Sequence, residues 1–165
     1  MLTVRPAGAG DLAAVAAIYA HYVTETVATF DETPPAAEAW HARLDDLGAR
    51  GLPFLVGEAE GRIAGYAYAA PWRPKPAYRH SVEDSVYLGP GWGGRGFGAA
   101  LLRAVLDGCA QAGMRQVVAV IADTGSDASV ALHRSAGFTE AGRLTGVGYK
   151  HGKWIDTLLM QYTLG

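Results

Sequence analysis

The sequence predicts a mixed α/β, or α+β, layer built as one domain over residues 1–165, and three observations carry that reading. Runs of helical periodicity alternate with short strand-like runs, two of those runs are joined by a two-residue turn, and a continuous apolar strand follows a helix after a glycine-dense segment. Residues 2–5 read as a short strand. Asp11 stands where a cap would open a helix to about Val23, in which Leu12, Val15, Ala16, Tyr19 and Tyr22 recur at helical spacing. Pro34 and Pro35 open a second helix, with Ala37, Trp40, Leu44 and Leu47 on one stripe and Gly48 and Gly51 near its end. Tyr19 and Trp40 are expected in the core. Residues 53–59 and 62–70 are apolar runs separated by Glu60-Gly61, which predicts an antiparallel hairpin. Residues 80–88 alternate as a half-buried strand, and residues 89–98 form a glycine-dense turn. A helix follows from about Gly98 to Ala112, with Leu101, Leu102, Val105, Leu106 and Cys109 on its apolar face. Gln116 to Ala122 is a strand, residues 126–135 a short helix, and Gly137-Phe138 opens a final pair of strands, the last at residues 154–164. That order excludes an all-helical bundle.

Composition narrows the function. A chain of 165 residues buries roughly 70% of its unfolded surface, so neither disulfides nor a structural metal is needed for a core. Fourteen basic against sixteen acidic residues leave no positive field for nucleic acid. The lone Cys109 cannot form an internal disulfide, and no Cys or His spacing suggests zinc, which fits a reducing cytoplasm. Asp11 interrupts the N-terminal apolar stretch, so it does not read as a signal peptide. No apolar run approaches the roughly 20 residues of a membrane span, so no membrane partner is expected.

Glycine is the skewed number. There are 22 in 165 residues, about 13% against a usual 7%, and many are grouped after the strand at residues 80–88. A strand, several glycines and a helix start form a phosphate cradle, because the backbone approaches closely and free amides meet the anion. Gly94, Gly96 and Gly98 are the candidates; a tight strand-to-helix connection without ligand is the alternative. Arg95-Gly96 follows Gly94 where an NTPase loop needs Gly-Lys-Ser/Thr. Gly91-x-Gly93-x-x-Gly96 matches a dinucleotide pattern, but the preceding strand belongs to an antiparallel run and does not open a βαβ unit.

Residues 86–102, VYLGPGWGGRGFGAALL, resemble the acetyl-coenzyme A loop of the GNAT acyltransferases. Gly96 and Gly98 match that loop's glycines, Gly93 stands where Arg or Gln is usual, and Arg95 can supply the charge. Residues 128–138, ASVALHRSAGF, resemble a later segment of the same superfamily. TFDETPP (29–35), GYAYAAPWRPKPAYR (65–79), VEDSVY (82–87), VVAVIAD (117–123) and GYKHGKW (148–154) together resemble its phosphinothricin acetyltransferase branch, which includes methionine sulfone and sulfoximine acetyltransferases. The resemblance implies a mostly antiparallel twisted sheet of about six or seven strands flanked by helices. It also implies a homodimer and transfer of acetyl from acetyl-coenzyme A, by direct attack on the thioester, to the α-amino group of a small L-amino-acid-like substrate. Its cofactor contacts would be Val86, Tyr87, Leu88, Gly93, Gly94, Arg95, Gly96, Phe97, Gly98, Ser126 and Ser129.

Amide formation from a thioester needs an unprotonated amine, donors for an oxyanion and a proton for the thiolate. Strand alternation sets Glu83, Ser85 and Tyr87 on one face and turns Asp84 away, making Glu83 the candidate base; a solvated or ion-paired strand residue is its other reading. His133 stands where many superfamily members carry an acidic Tyr, and the resemblance offers it as general acid or as a cofactor contact. Backbone amides at Val86 to Leu88 are the expected oxyanion donors. Arg73 and Arg79, flanking Tyr78, are by resemblance the clamp for a carboxylate or side-chain oxyanion, and otherwise an exposed basic loop. Thr29 and Phe30, Tyr78, Ser85, Tyr149 and Lys150 complete the expected acceptor site, with core or dimer interface as the alternative for the aromatics. A protein N-terminus or a polyamine as acceptor, and a non-catalytic coenzyme A-binding module, remain open.

Overall fold

The computed structural model describes residues 1–165 and orders seven strands as β1-β2-β3-β4-β5-β7-β6. The strands are β1 (Thr3–Pro6), β2 (Phe54–Ala59), β3 (Arg62–Pro71), β4 (Ser81–Leu88), β5 (Gln116–Ala122), β6 (Thr139–Lys150) and β7 (Lys153–Thr163). The helices are α1 (Leu12–Glu25), α2 (Ala37–Ala49), α3 (Phe97–Gln111) and α4 (Ala128–Ser135). Every neighbouring pair is antiparallel except β4 and β5. No helix is long and apolar enough to cross a membrane.

Local chemistry explains most boundaries. Glu60 and Gly61 both take left-handed backbone, φ 53° and 72°, the two-residue turn whose twist matches the strands it joins. The Asp11 carboxylate does not cap α1. It instead binds the Arg5 guanidinium at 2.8 and 2.9 Å and accepts the Gly8 amide at 2.8 Å, closing a short 3-10 turn before the helix. Helix α2 starts at Ala37, with Ala36 as its extended N-cap, two residues later than Pro34-Pro35 suggests. The last short helix likewise starts at Ala128, not at residue 126.

The two sheet faces carry different layers. Tyr66, Tyr68 and Tyr87 project toward α1 and α2, where Tyr19 and Trp40 meet them edge-on at ring separations of 5.3 Å (Tyr19–Tyr87) and 5.8 Å (Trp40–Tyr66). Such pairs add about 0.5–1.5 kcal/mol each beyond area burial. The opposite face belongs to α3, whose Leu101, Leu102, Val105 and Cys109 are fully buried, as the apolar spacing predicts. Helix α3 and the neighbouring strand leave no room for a side chain at Gly65, where a Cβ would stand 3.3 Å from Leu101 of α3 and 2.7 Å from Leu88 of β4.

Candidate active site

Strands β4 and β5 pair only through Ser81–Glu83 with Gln116–Val118, and beyond that point they part. A cavity of about 640 Å³ fills the gap, walled by β4, the glycine turn, β5 and α4. Its glycine turn has the features of an anion cradle. Gly94 and Gly96 have φ of 77° and 79°, and Cβ atoms at Gly91, Gly93, Gly94 or Gly96 would meet nothing within 4 Å. Gly96 is the N-cap of α3 and no side chain caps that helix, so its first amides keep their donors free. Acetyl-coenzyme A fits such a site, because its pyrophosphate needs those amides and its pantetheine arm an unpaired strand edge like that of β4.

The sequence-predicted cofactor contacts divide. Val86, Tyr87, Leu88, Gly93, Gly94, Gly96, Phe97, Gly98, Ser126 and Ser129 all line this cavity. Arg95 does not; its Nη1 pairs with Glu60 at 3.1 Å and its guanidinium lies over the Trp92 and Phe97 rings. Glu60 tops the β2–β3 turn, a position no local pattern near the glycines announces.

Strand β4 runs without a bulge against β3 from Val82 to Leu88, so the period of two holds throughout. Glu83, Ser85 and Tyr87 share the face toward α1 and α2. Burial, then the charge of Asp84, pushes the Glu83 carboxyl above its ordinary range, while Arg73 and Arg43 pull it back. Asp84 points to the α3 and α4 side, where it is buried and accepts a 2.8 Å hydrogen bond from His133 Nε2. The His133 Nδ1 donates to the Ser129 carbonyl at 2.8 Å, so both ring nitrogens are engaged within the fold. Burial alone would lower the His133 pKa, but the Asp84 hydrogen bond and charge, with the Ser129 carbonyl, outweigh it and raise it. Asp84 Oδ1 has no partner. Asp84 was legible only as the residue facing away; a buried histidine lacking any local carboxylate is the signal that could have found it.

The expected acceptor residues sit on the α1–α2 side. The Tyr19 hydroxyl bonds the Asp31 carboxylate and lies 2.7 Å from the Thr29 hydroxyl, while Lys150, buried, donates to the Thr29 carbonyl at 2.7 Å. The outer end of the Phe30 ring abuts Gly148, where a Cβ would stand 2.4 Å from it. Thr29, Phe30 and Lys150 thus come together as the end of β6 meets the loop after α1. Tyr149 points outward, 55% exposed, with its ring 4.7 Å from that of Trp154. Arg73 is exposed and stacks over Trp72 at 4.7 Å. Tyr78 is 45% exposed, and Arg79 turns its guanidinium to the Pro76 carbonyl at 3.1 Å. Arg43 of α2, not among the sequence candidates, reaches the Tyr68 hydroxyl at 2.5 Å.

Comparison with known proteins places this geometry. The acetyltransferase (GNAT) domain family matches residues 4–159. The chain is 46% identical over 162 residues to a phosphinothricin N-acetyltransferase of Alcaligenes faecalis, covering 98% of this chain and 82% of that protein. It is 38% identical over 163 residues to an L-methionine sulfoximine/L-methionine sulfone acetyltransferase of Pseudomonas aeruginosa, covering 98% of this chain and 94% of that protein. Among solved structures, a phosphinothricin acetyltransferase of Sinorhizobium meliloti in complex with acetyl-coenzyme A superposes with a TM-score of 0.95 at 42% identity, over 99% of this chain and 89% of that one.

Proposed function

From a chain that belongs to the GNAT acetyltransferase family, and is thereby an acetyl-coenzyme A-dependent N-acetyltransferase, we propose an enzyme whose acceptor is the α-amino group of a small L-amino acid with a tetrahedral sulfur or phosphorus side chain. The relatives named above act on such compounds. The observation that carries the reading is the setting of Glu83. It lies where β4 and β5 part, on the wall of the cavity and within the field of two arginines, Arg73 and Arg43. An acceptor that is both amine and anion suits that combination, because the arginines attract its acidic groups while Glu83 takes a proton from its ammonium. A polyamine would be repelled by the same arginines.

Acetyl-coenzyme A supplies the activated acetyl thioester. Residues of the glycine turn, with Ser126 and Ser129, hold it by this reading, and the β4 amides at Val86 to Leu88 act as donors along the open strand edge. Glu83 serves as general base and is readied for that by burial, which raises its proton affinity toward neutral pH. His133 is a positioning residue in this account. Its Nε2 ties α4 to Asp84 of β4, while Nδ1 holds the ring to the Ser129 carbonyl one turn earlier on the same helix, and releasing Nε2 would leave the buried Asp84 carboxylate unpaired.

Thiol release from acetyl-coenzyme A in the presence of phosphinothricin, methionine sulfone or methionine sulfoximine tests the reading. We expect turnover with at least one of the three to exceed that with a polyamine or a peptide N-terminus. No release above buffer with any of them rejects the substrate class.

The same reading includes a homodimer. Leu144, Val147, Tyr149 and Trp154 on the β6–β7 hairpin are 45%, 55%, 55% and 75% exposed, an apolar strip at the open edge of the sheet. A second copy covers it. Sedimentation should give twice the chain mass of 17.3 kDa, and Trp154→Glu should return the monomer. A wild-type chain that sediments as a monomer at tens of micromolar ends that proposal.

A further inference from the structure

Arg43 is anchored and yet keeps its charge free. Its guanidinium carbon lies 4.8 Å from the Tyr68 ring centroid, and Nη1 donates to the Tyr68 hydroxyl. Arg5, Arg50, Arg95 and Arg143 each hold a carboxylate, whereas Arg43 has none within ion-pair distance. Four of its five N–H donors are therefore unspent on side chains. Tyr68 pairs with Ser85 across β3 and β4, and Ser85 lies two residues along the same face from Glu83. Arg43 thus reaches from α2 to Tyr68, which faces Ser85 on the side of β4 that carries Glu83, and its charge lowers the Glu83 pKa.

We propose that Arg43 binds the α-carboxylate of the acceptor, with Tyr68 fixing the plane of its guanidinium; this rests on the amino-acid reading above. The α-carboxylate is separated from the reacting nitrogen by one carbon, so it must land beside Glu83 whenever the amine does. A guanidinium held by a hydrogen bond and a ring face suits this invariant part of the substrate, since little freedom is lost on binding. Arg73, on the exposed loop after β3, stacks only on its neighbour Trp72 and is left to follow side chains of differing length.

The test compares L-methionine sulfone with its carboxylate-free analogue 3-(methylsulfonyl)propan-1-amine, using wild type, Arg43→Gln and Tyr68→Phe. Wild type should favour the amino acid. Arg43→Gln should lower kcat/KM for the amino acid by roughly 10- to 100-fold, mainly through KM, the range for a lost hydrogen bond to a charged group, and collapse the preference. Tyr68→Phe, which keeps the charge and loses the anchor, should reduce the preference by less. An equal fall on both acceptors in Arg43→Gln would mean that Arg43 acts only through Glu83 or the fold, and overturns the assignment, as does an unchanged preference. Wild type that acetylates both acceptors equally also overturns it while leaving an amine acetyltransferase standing. Wild type that acetylates neither rejects the substrate class itself, and the assignment with it. Arg43 is exposed on its helix, so its replacement is compatible with the fold.

Discussion

Glu83→Gln should lower turnover near neutral pH by roughly 10²–10⁴-fold, the range for one positioned acid or base, and leave acetyl-coenzyme A binding intact. Glutamine keeps the shape and accepts a hydrogen bond, but it cannot take the ammonium proton. Since burial pushes the Glu83 carboxyl upward, the acid limb of the wild-type kcat/KM profile should lie above the ordinary glutamate range. That limb should vanish in the variant. Steady-state kinetics across pH, with calorimetry for the cofactor, reads both quantities. Equal turnover in the two proteins removes Glu83 from the chemistry.

His133→Ala destabilises the fold by about 3–5 kcal/mol, because it strands the buried Asp84 carboxylate with no partner on either oxygen. For a domain of this size that corresponds to a fall in Tm on the order of 10 °C. Phe138, whose ring stands edge-on to the imidazole at 4.9 Å, loses its neighbour too. The pH dependence follows from the raised His133 pKa. The stability due to its protonation is fully present below the unfolded value near 6.5, and it is lost as pH rises through the higher folded value. Thermal melts of the two proteins should therefore draw closer as pH rises through the folded value but not meet, because the stranded Asp84 carboxylate and the packing loss persist at alkaline pH. Asp84→Ala combined with His133→Ala should cost less than the sum of the single changes, since the pair is removed together. A positioning role also predicts that the alkaline limb of kcat in His133→Ala stays where wild type has it. Displacement of that limb would restore His133 as the proton donor.

The residues of the cavity differ in how far a local pattern could reach them. Gly94, Gly96 and Gly98 were visible because a strand, left-handed turns and a helix start occur consecutively, and each leaves its own composition. Glu83 was visible because strand alternation is a property of the backbone alone, and no bulge on β4 disturbs it. Arg95 shows the limit: its charge lies in the loop, but a hairpin tip 35 residues earlier holds it away from the cavity. Asp11 shows it again, since a carboxylate well placed to cap a helix found a stronger partner in Arg5.

By itself, the order of residues determined the eleven helices and strands, the glycine turn, and the face of β4 that carries Glu83. All of these follow from periodicities of 2 and 3.6 and from residues with few allowed backbone angles. Only the folded sheet decided that Asp84 meets a histidine 49 residues away, that Arg43 reaches Tyr68 across 25, and that β4 and β5 separate after three paired residues. Those contacts depend on strand order and on which helix covers which face, and burial then makes them costly to leave unmade.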